Sequence, residues 1–149
     1  MRWRGFMAAV CVSLSGGCLS PHDAAMVDVD PRAWTEGACV TFENSDTLSS
    51  RDLYLVLRYA GQRGGAGDTL RLEVEIQAPD SSRYAEQVAV PLPASGRAAA
   101  LRPQLRQLYR RAVVLGRRGC YRITLTPASP VRGVEAAGID FGPGGTLSE

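Results

Sequence analysis

Three features of the sequence predict an all-β protein, an antiparallel β-sandwich of about seven strands with one short helix. Apolar and polar residues alternate in several short runs, turn-forming residues separate those runs, and a single stretch in the 149 residues has helical spacing. Alternation marks a strand with one buried side, because successive side chains point to opposite faces. Two sheets of that kind bury their apolar sides against each other. The chain length fits one domain with a tail, enough to bury about two-thirds of its unfolded surface.

The N-terminus reads as an export leader over residues 1–17. Met1, Arg2, Trp3 and Arg4 form a short basic start, and the mostly apolar run Phe6 to Leu14 ends in Ser15, Gly16, Gly17 and Cys18. That run is far shorter than the ~20 residues of a transmembrane helix. Small residues before a cysteine mark Cys18 for thioether lipidation, with Leu14 one place further from it than in the usual pattern. Two or three acyl chains hold a protein to a membrane stably, each buried methylene contributing about 0.8 kcal/mol. Residues 18–33, with Pro21 and Pro31, then read as a lipidated tether, and residues 34–149 as the folded domain.

Strands are predicted over Ala38 to Glu43, Leu53 to Arg58, Thr69 to Ile76, Tyr84 to Leu92, Ala112 to Leu115, Tyr121 to Leu125 and Ala137 to Phe141. The clearest is Thr69 to Ile76, where Leu70, Leu72, Val74 and Ile76 alternate with Arg71, Glu73 and Glu75. Leu101, Leu105, Leu108 and Ala112 fall at spacings of four, three and four, which predicts a short helix with Pro103 in its first turn. Gly116 to Gly119 reads as the loop of a hairpin between the two flanking strands.

Charge and site residues narrow the function. All 17 basic residues are Arg; without the leader, 15 Arg face 15 acidic residues, so the mature charges cancel and a nucleic-acid partner is not expected. The single His, His22, lies in the tether and is read as solvated; no metal, cofactor or small-molecule substrate is expected. The Gly-rich stretch Gly61 to Asp68 lacks a Lys-Ser/Thr ending and reads as a strand connection, not a phosphate cradle. Arg102, Arg106 and Arg110 repeat at four-residue intervals on the predicted helix, a stripe able to hold an anionic partner or simply a solvated face. Cys39 and Cys120 point away from the apolar faces of their strands. In an oxidising compartment they could form a disulfide, closing a loop of about 80 residues and contributing roughly 4 kcal/mol, or remain free thiols.

The order of the pieces resembles the GldH family of gliding-motility lipoproteins. Cys18 and the tether are followed by Trp34, VTFE at Val40 to Glu43, LYLVLR at Leu53 to Arg58, DTLRLEVEIQAPD at Asp68 to Asp80, GCYRITLTPA at Gly119 to Ala128, and GVEAAGIDF at Gly133 to Phe141. Two family segments are replaced, one by the Gly-rich loop and one by the Arg-bearing stretch. The resemblance implies a non-catalytic outer-membrane lipoprotein, held by lipid through acylated Cys18 on the periplasmic side. It also implies a protein partner in the gliding or type IX secretion machinery, and transfers no catalytic residue. Two other readings remain open. A glycan- or peptidoglycan-binding module would use Trp34, Tyr54, Tyr59, Tyr84 and Tyr109, and a carboxylate-dependent hydrolase would need two converging acids such as Glu73 and Glu75.

Overall fold

The computed structural model of the chain describes residues 25–59, 69–92 and 104–143. They form eight strands: β1 (Ala25–Asp28), β2 (Ala38–Asn44), β3 (Ser50–Tyr59), β4 (Thr69–Gln77), β5 (Arg83–Pro91), β6 (Gln104–Val114), β7 (Gly119–Pro127) and β8 (Val134–Pro143). One sheet has the order β1-β8-β3-β6 and the other β2-β7-β4-β5. Every pairing is antiparallel. The predicted all-β sandwich is therefore present, and each of the seven predicted strands lies on an observed one.

The alternation that predicted the strands builds the core. Leu53, Leu55 and Leu57 of β3 face Leu70, Leu72 and Val74 of β4 and Ile123 and Leu125 of β7, all buried in one cluster with Val40, Val90 and Ile139. Burial of a side chain of this size contributes about 1.5–3 kcal/mol. Trp34 joins them through an isolated bridge to Val131 and is 2% exposed; its indole Nε1 donates to the Glu36 carbonyl at 2.6 Å.

Among the described residues there is no helix, which corrects the reading of Leu101 to Ala112; residues 101–103 lie outside the description. Residues 104–114 are strand β6, and its pairing with β3 explains the misleading spacing. Arg51 pairs with Val113, Leu53 with Arg110 and Tyr54 with Leu108, so β6 carries extra residues opposite Asp52 and again between Leu53 and Tyr54. Leu105 pairs with Leu57 and Leu108 with Tyr54 before either insertion, so these two leucines stand on opposite faces of β6, and the helix-like spacing does not describe one buried side.

The irregularity is built from specific groups. Ala112 has φ 50°, and the carboxylate of the largely buried Asp52 accepts its backbone N–H at 2.9 Å. Left-handed backbone strains an L-residue by about 1–2 kcal/mol, partly offset in glycine by its freer unfolded chain. Ala112→Gly is therefore expected to stabilise the domain by about 0.5–1 kcal/mol and Ala112→Val to destabilise it, read from denaturation midpoints.

The predicted hairpin around Gly116 is also corrected. β6 and β7 belong to different sheets, so residues 115–118 cross from one layer to the other. Asn44, 4% exposed, fixes the crossing by donating its Nδ2 to the carbonyls of Leu115 at 2.9 Å and Arg117 at 2.8 Å. Only β4 and β5 are consecutive and paired; every other connection among the eight strands changes sheet. A local turn signal cannot distinguish these two outcomes, because glycines suit both.

β1 lies inside the stretch read as tether. Ala25 to Asp28 pairs with Ile139 to Ala136, and the Val29 N–H donates to the Glu135 carbonyl at 2.9 Å. The folded body thus includes residues 25–33, and its apolar members Ala25 and Val27 pack against the core.

Candidate functional site

The strand phases bring two arginine clusters together on β6, in different places. Arg106 pairs with Val56 on the outer face of its sheet. Its Nε lies 2.6 Å from Asp140 Oδ2 on β8, and its guanidinium sits 3.3 Å from the Tyr54 ring centroid. Gly142 leaves room for this stack, since a Cβ there would fall 2.9 Å from Tyr54 and 3.0 Å from Arg106. The arrangement combines an ion pair with a cation–π contact across three strands.

Arg110 follows the irregularity and turns to the gap between the sheets. Its Nη2 contacts Glu86 Oε1 at 2.6 Å and donates to the Tyr84 hydroxyl at 3.0 Å, while the same hydroxyl donates to Glu86 Oε2 at 2.9 Å. Glu86 and Tyr84 occupy β5 opposite Val74 and Ile76, so they belong to the inward-facing set of that sheet. The Tyr109 hydroxyl, on β6, borders the same carboxylate. These contacts with Tyr109, Tyr84 and Arg110 hold the Glu86 carboxyl below its ordinary range against the opposing effect of burial. Burial, together with the neighbouring Glu86 charge, pushes the Tyr109 phenol well up.

This cluster closes one side of an apolar cavity of about 310 Å³ lined by Phe42, Leu53, Ile76, Val113, Tyr121 and Phe141, among others. The Phe42 ring stacks on Tyr121 at 5.5 Å and meets Phe141 edge-on at 4.9 Å. The cavity lies between the sheets, at the end shared by the C-termini of β2, β4 and β8 and the N-termini of β5 and β7.

Acid sensitivity follows from the lowered carboxyls. Asp46 is held far below its usual range by the Ser49 side chain and the Ser49 and Leu48 amides, and Asp80 is held down by Ser82. A carboxyl whose folded pKa lies below its unfolded value stabilises the fold above the unfolded pKa and ceases to do so as pH falls through the folded one. Thermal unfolding midpoints should therefore fall as pH drops from about 5 toward 2. Glu86→Gln should flatten part of that dependence, measured by scanning calorimetry at stepped pH.

The other predicted site residues separate. Cys39 and Cys120 do lie on neighbouring strands, but Cys39 pairs with Thr124 and Cys120 with Glu43. Four rungs put them about 13 Å apart along the strands, beyond the ~7 Å span of a disulfide. Both are exposed free thiols, which corrects the proposed bridge. Arg106 and Arg110 do not form an open stripe, since each is bonded to an acid of its own chain; Arg102 lies outside the described residues, as do Cys18, His22 and the stretch Gly61 to Asp68. Trp34 is in the core, and Tyr54 lies beneath Arg106, so they share no platform with Tyr84. Glu73 and Glu75 stand on the outer face of β4 opposite Gln87 and Ala85, with Glu75 3.7 Å from Arg83.

The Glu86, Tyr84 and Tyr109 grouping was missed in the sequence. Its one legible signal was Glu86 in phase with Val88 and Val90, a charge on an apolar face. Among the described residues no three potential ligands gather to hold a metal, and no helix is long and apolar enough to cross a membrane.

No protein-family model matches the chain, and no curated protein matches it. One solved structure is similar in part, a family GH115 4-O-methyl-α-glucuronidase with specificity for decorated arabinogalactans. The match has 16% identity and a TM-score of 0.39 and covers 72% of this chain and 14% of that one. This chain spans about a seventh of the enzyme, and a likeness at that level carries no functional argument.

Proposed function

We propose that this protein is an outer-membrane-anchored envelope lipoprotein of the GldH type. Acylated Cys18 holds the sandwich at the membrane, where it serves as a non-catalytic contact subunit linked to gliding or type IX secretion machinery. The observation that carries the reading is Cys18 itself, placed behind a short apolar leader run and only seven residues before Ala25, the first residue of β1. A lipid at that position joins the membrane to a paired strand through a very short tether.

The segments that resemble the family support the reading in a specific way. They supply the inner strands of the two sheets, β3, β4, β7 and β8, and part of the edge strand β2. The likeness thus includes every inner strand, and the replaced Arg-bearing segment falls on the edge strand β6. A contact role also suits the charged groups, many of which are paired within the chain, as in Arg58 with Asp28 at 3.1 Å and Arg117 with Asp80 at 2.9 Å. Such a surface is neutral overall, and recognition would come from shape and edges, not from a field of one sign.

Membrane fractionation and phenotype test the reading together. Cys18→Ser should move the protein from the membrane to the soluble envelope fraction, and deletion of the gene should impair surface spreading and type IX cargo export. Unchanged fractionation, or spreading and export both intact after deletion, would count against it.

A further inference from the structure

The two layers close unevenly. On one side β1 and β2 lie against each other, whereas on the other β5 and β6 are linked through the side chains of Glu86, Tyr84 and Arg110. Behind that linkage is the apolar cavity of about 310 Å³. A methylene takes roughly the ~30 Å³ share of a liquid water, so about ten methylenes fit. The rings of Phe42, Tyr121 and Phe141 line it with apolar carbon, Phe42 stacked on Tyr121 and edge-on to Phe141.

The rim decides what the head of an occupant can be. Arg110 is already neutralised by Glu86, and Tyr84 is half exposed beside them. A free carboxylate entering here would meet the Glu86 charge at close range and be repelled. An uncharged ester carbonyl needs no counter-ion and can accept from an N–H of Arg110 that Glu86 and Tyr84 leave free, while the single Tyr84 O–H stays with Glu86.

We propose that the cavity is a binding site for one ester-linked acyl chain of a glycerolipid, with the tail between the sheets and the carbonyl at Arg110. Its position suits a lipid source. β1 is entered at this end of the sandwich, since Ala25 pairs with Ile139, two residues from the cavity-lining Phe141. Seven residues from Cys18 to Ala25 span at most about 25 Å. The placement next to a leaflet rests on the proposed anchor, whereas the binding chemistry does not.

The test uses the full mature chain carrying Cys18→Ser, so that its own lipid cannot compete. Calorimetric titration at neutral pH with 1-monolauroylglycerol, below its micelle-forming concentration, should give one bound monoester per chain. Dodecanoate should bind at least tenfold more weakly, and Glu86→Gln should close or reverse that gap. Val113→Trp and Leu115→Trp, filling the cavity from the end of β6 and from the residue just after it, should abolish binding in chains that keep their circular dichroism. A folded parent that binds no monoester, equal affinity for the two ligands, or binding retained in both Trp variants overturns the proposal. Because the anchor is absent throughout, such a failure leaves the lipidation of Cys18 to be decided by fractionation.

Discussion

Trp34→Ala is expected to lower the unfolding free energy by about 3–5 kcal/mol, the largest single-residue effect in the domain. Trp34 is 2% exposed although it belongs to no long strand. Its backbone N–H donates to the Val131 carbonyl at 2.7 Å, and the Val131 N–H returns a bond to the Trp34 carbonyl at 3.0 Å. The indole thus seals the core between two connections, one before β2 and one before β8. Truncation removes its apolar area, leaves a cavity that the paired backbone prevents from collapsing, and deprives the Glu36 carbonyl of the indole donor. Chemical denaturation measures the loss; a change below about 1 kcal/mol would mean that the indole is not part of the core.

Gly138→Val is expected to detach β1 and to cost at least about 2–3 kcal/mol. Gly138 pairs with Met26, and a Cβ on it would press on the Ala25 carbonyl oxygen and lie 2.7 Å from the Met26 Cα. These neighbours are backbone, so no side-chain rotation relieves the clash and the strand itself must move. Hydrogen exchange resolves the effect by residue. Amides of Met26 to Asp28 should lose protection while those of β4 and β7 keep it. On the proposed function, the same substitution would lengthen the tether and loosen the body from its anchor.

The sequence revealed the layers better than their connections. Leu70, Leu72, Val74 and Ile76 alternate without interruption because β4 is an inner strand paired on both sides, with β5 and β7, and its register is unbroken. β6 is an edge strand, and its extra residues opposite Asp52 and after Leu53 break the two-residue repeat that a sequence pattern relies on. β1 reads as tether because the stretch around it has Pro21, Pro31 and few large apolar groups; its pairing with β8 is a long-range choice that no local pattern encodes. The disulfide fails on register: the phase of both thiols is legible in the sequence, but neither the adjacency of β2 and β7 nor the offset of four rungs is. The candidate site is hard to read for the same reason. Glu86 and Arg110 meet only because β5 and β6 flank the open side of two different sheets.

Those connections set the surface, and on the proposed function a lipid on Cys18 sets where that surface works. Intact-mass and fragment mass spectrometry of the mature protein, extracted from membranes in detergent, examines this most directly. The account predicts a chain that begins at Cys18, with a diacylglyceryl group on sulfur and an acyl group on the α-amine. A mature chain retaining residues before Cys18, or one beginning there with an unmodified thiol, would contradict it.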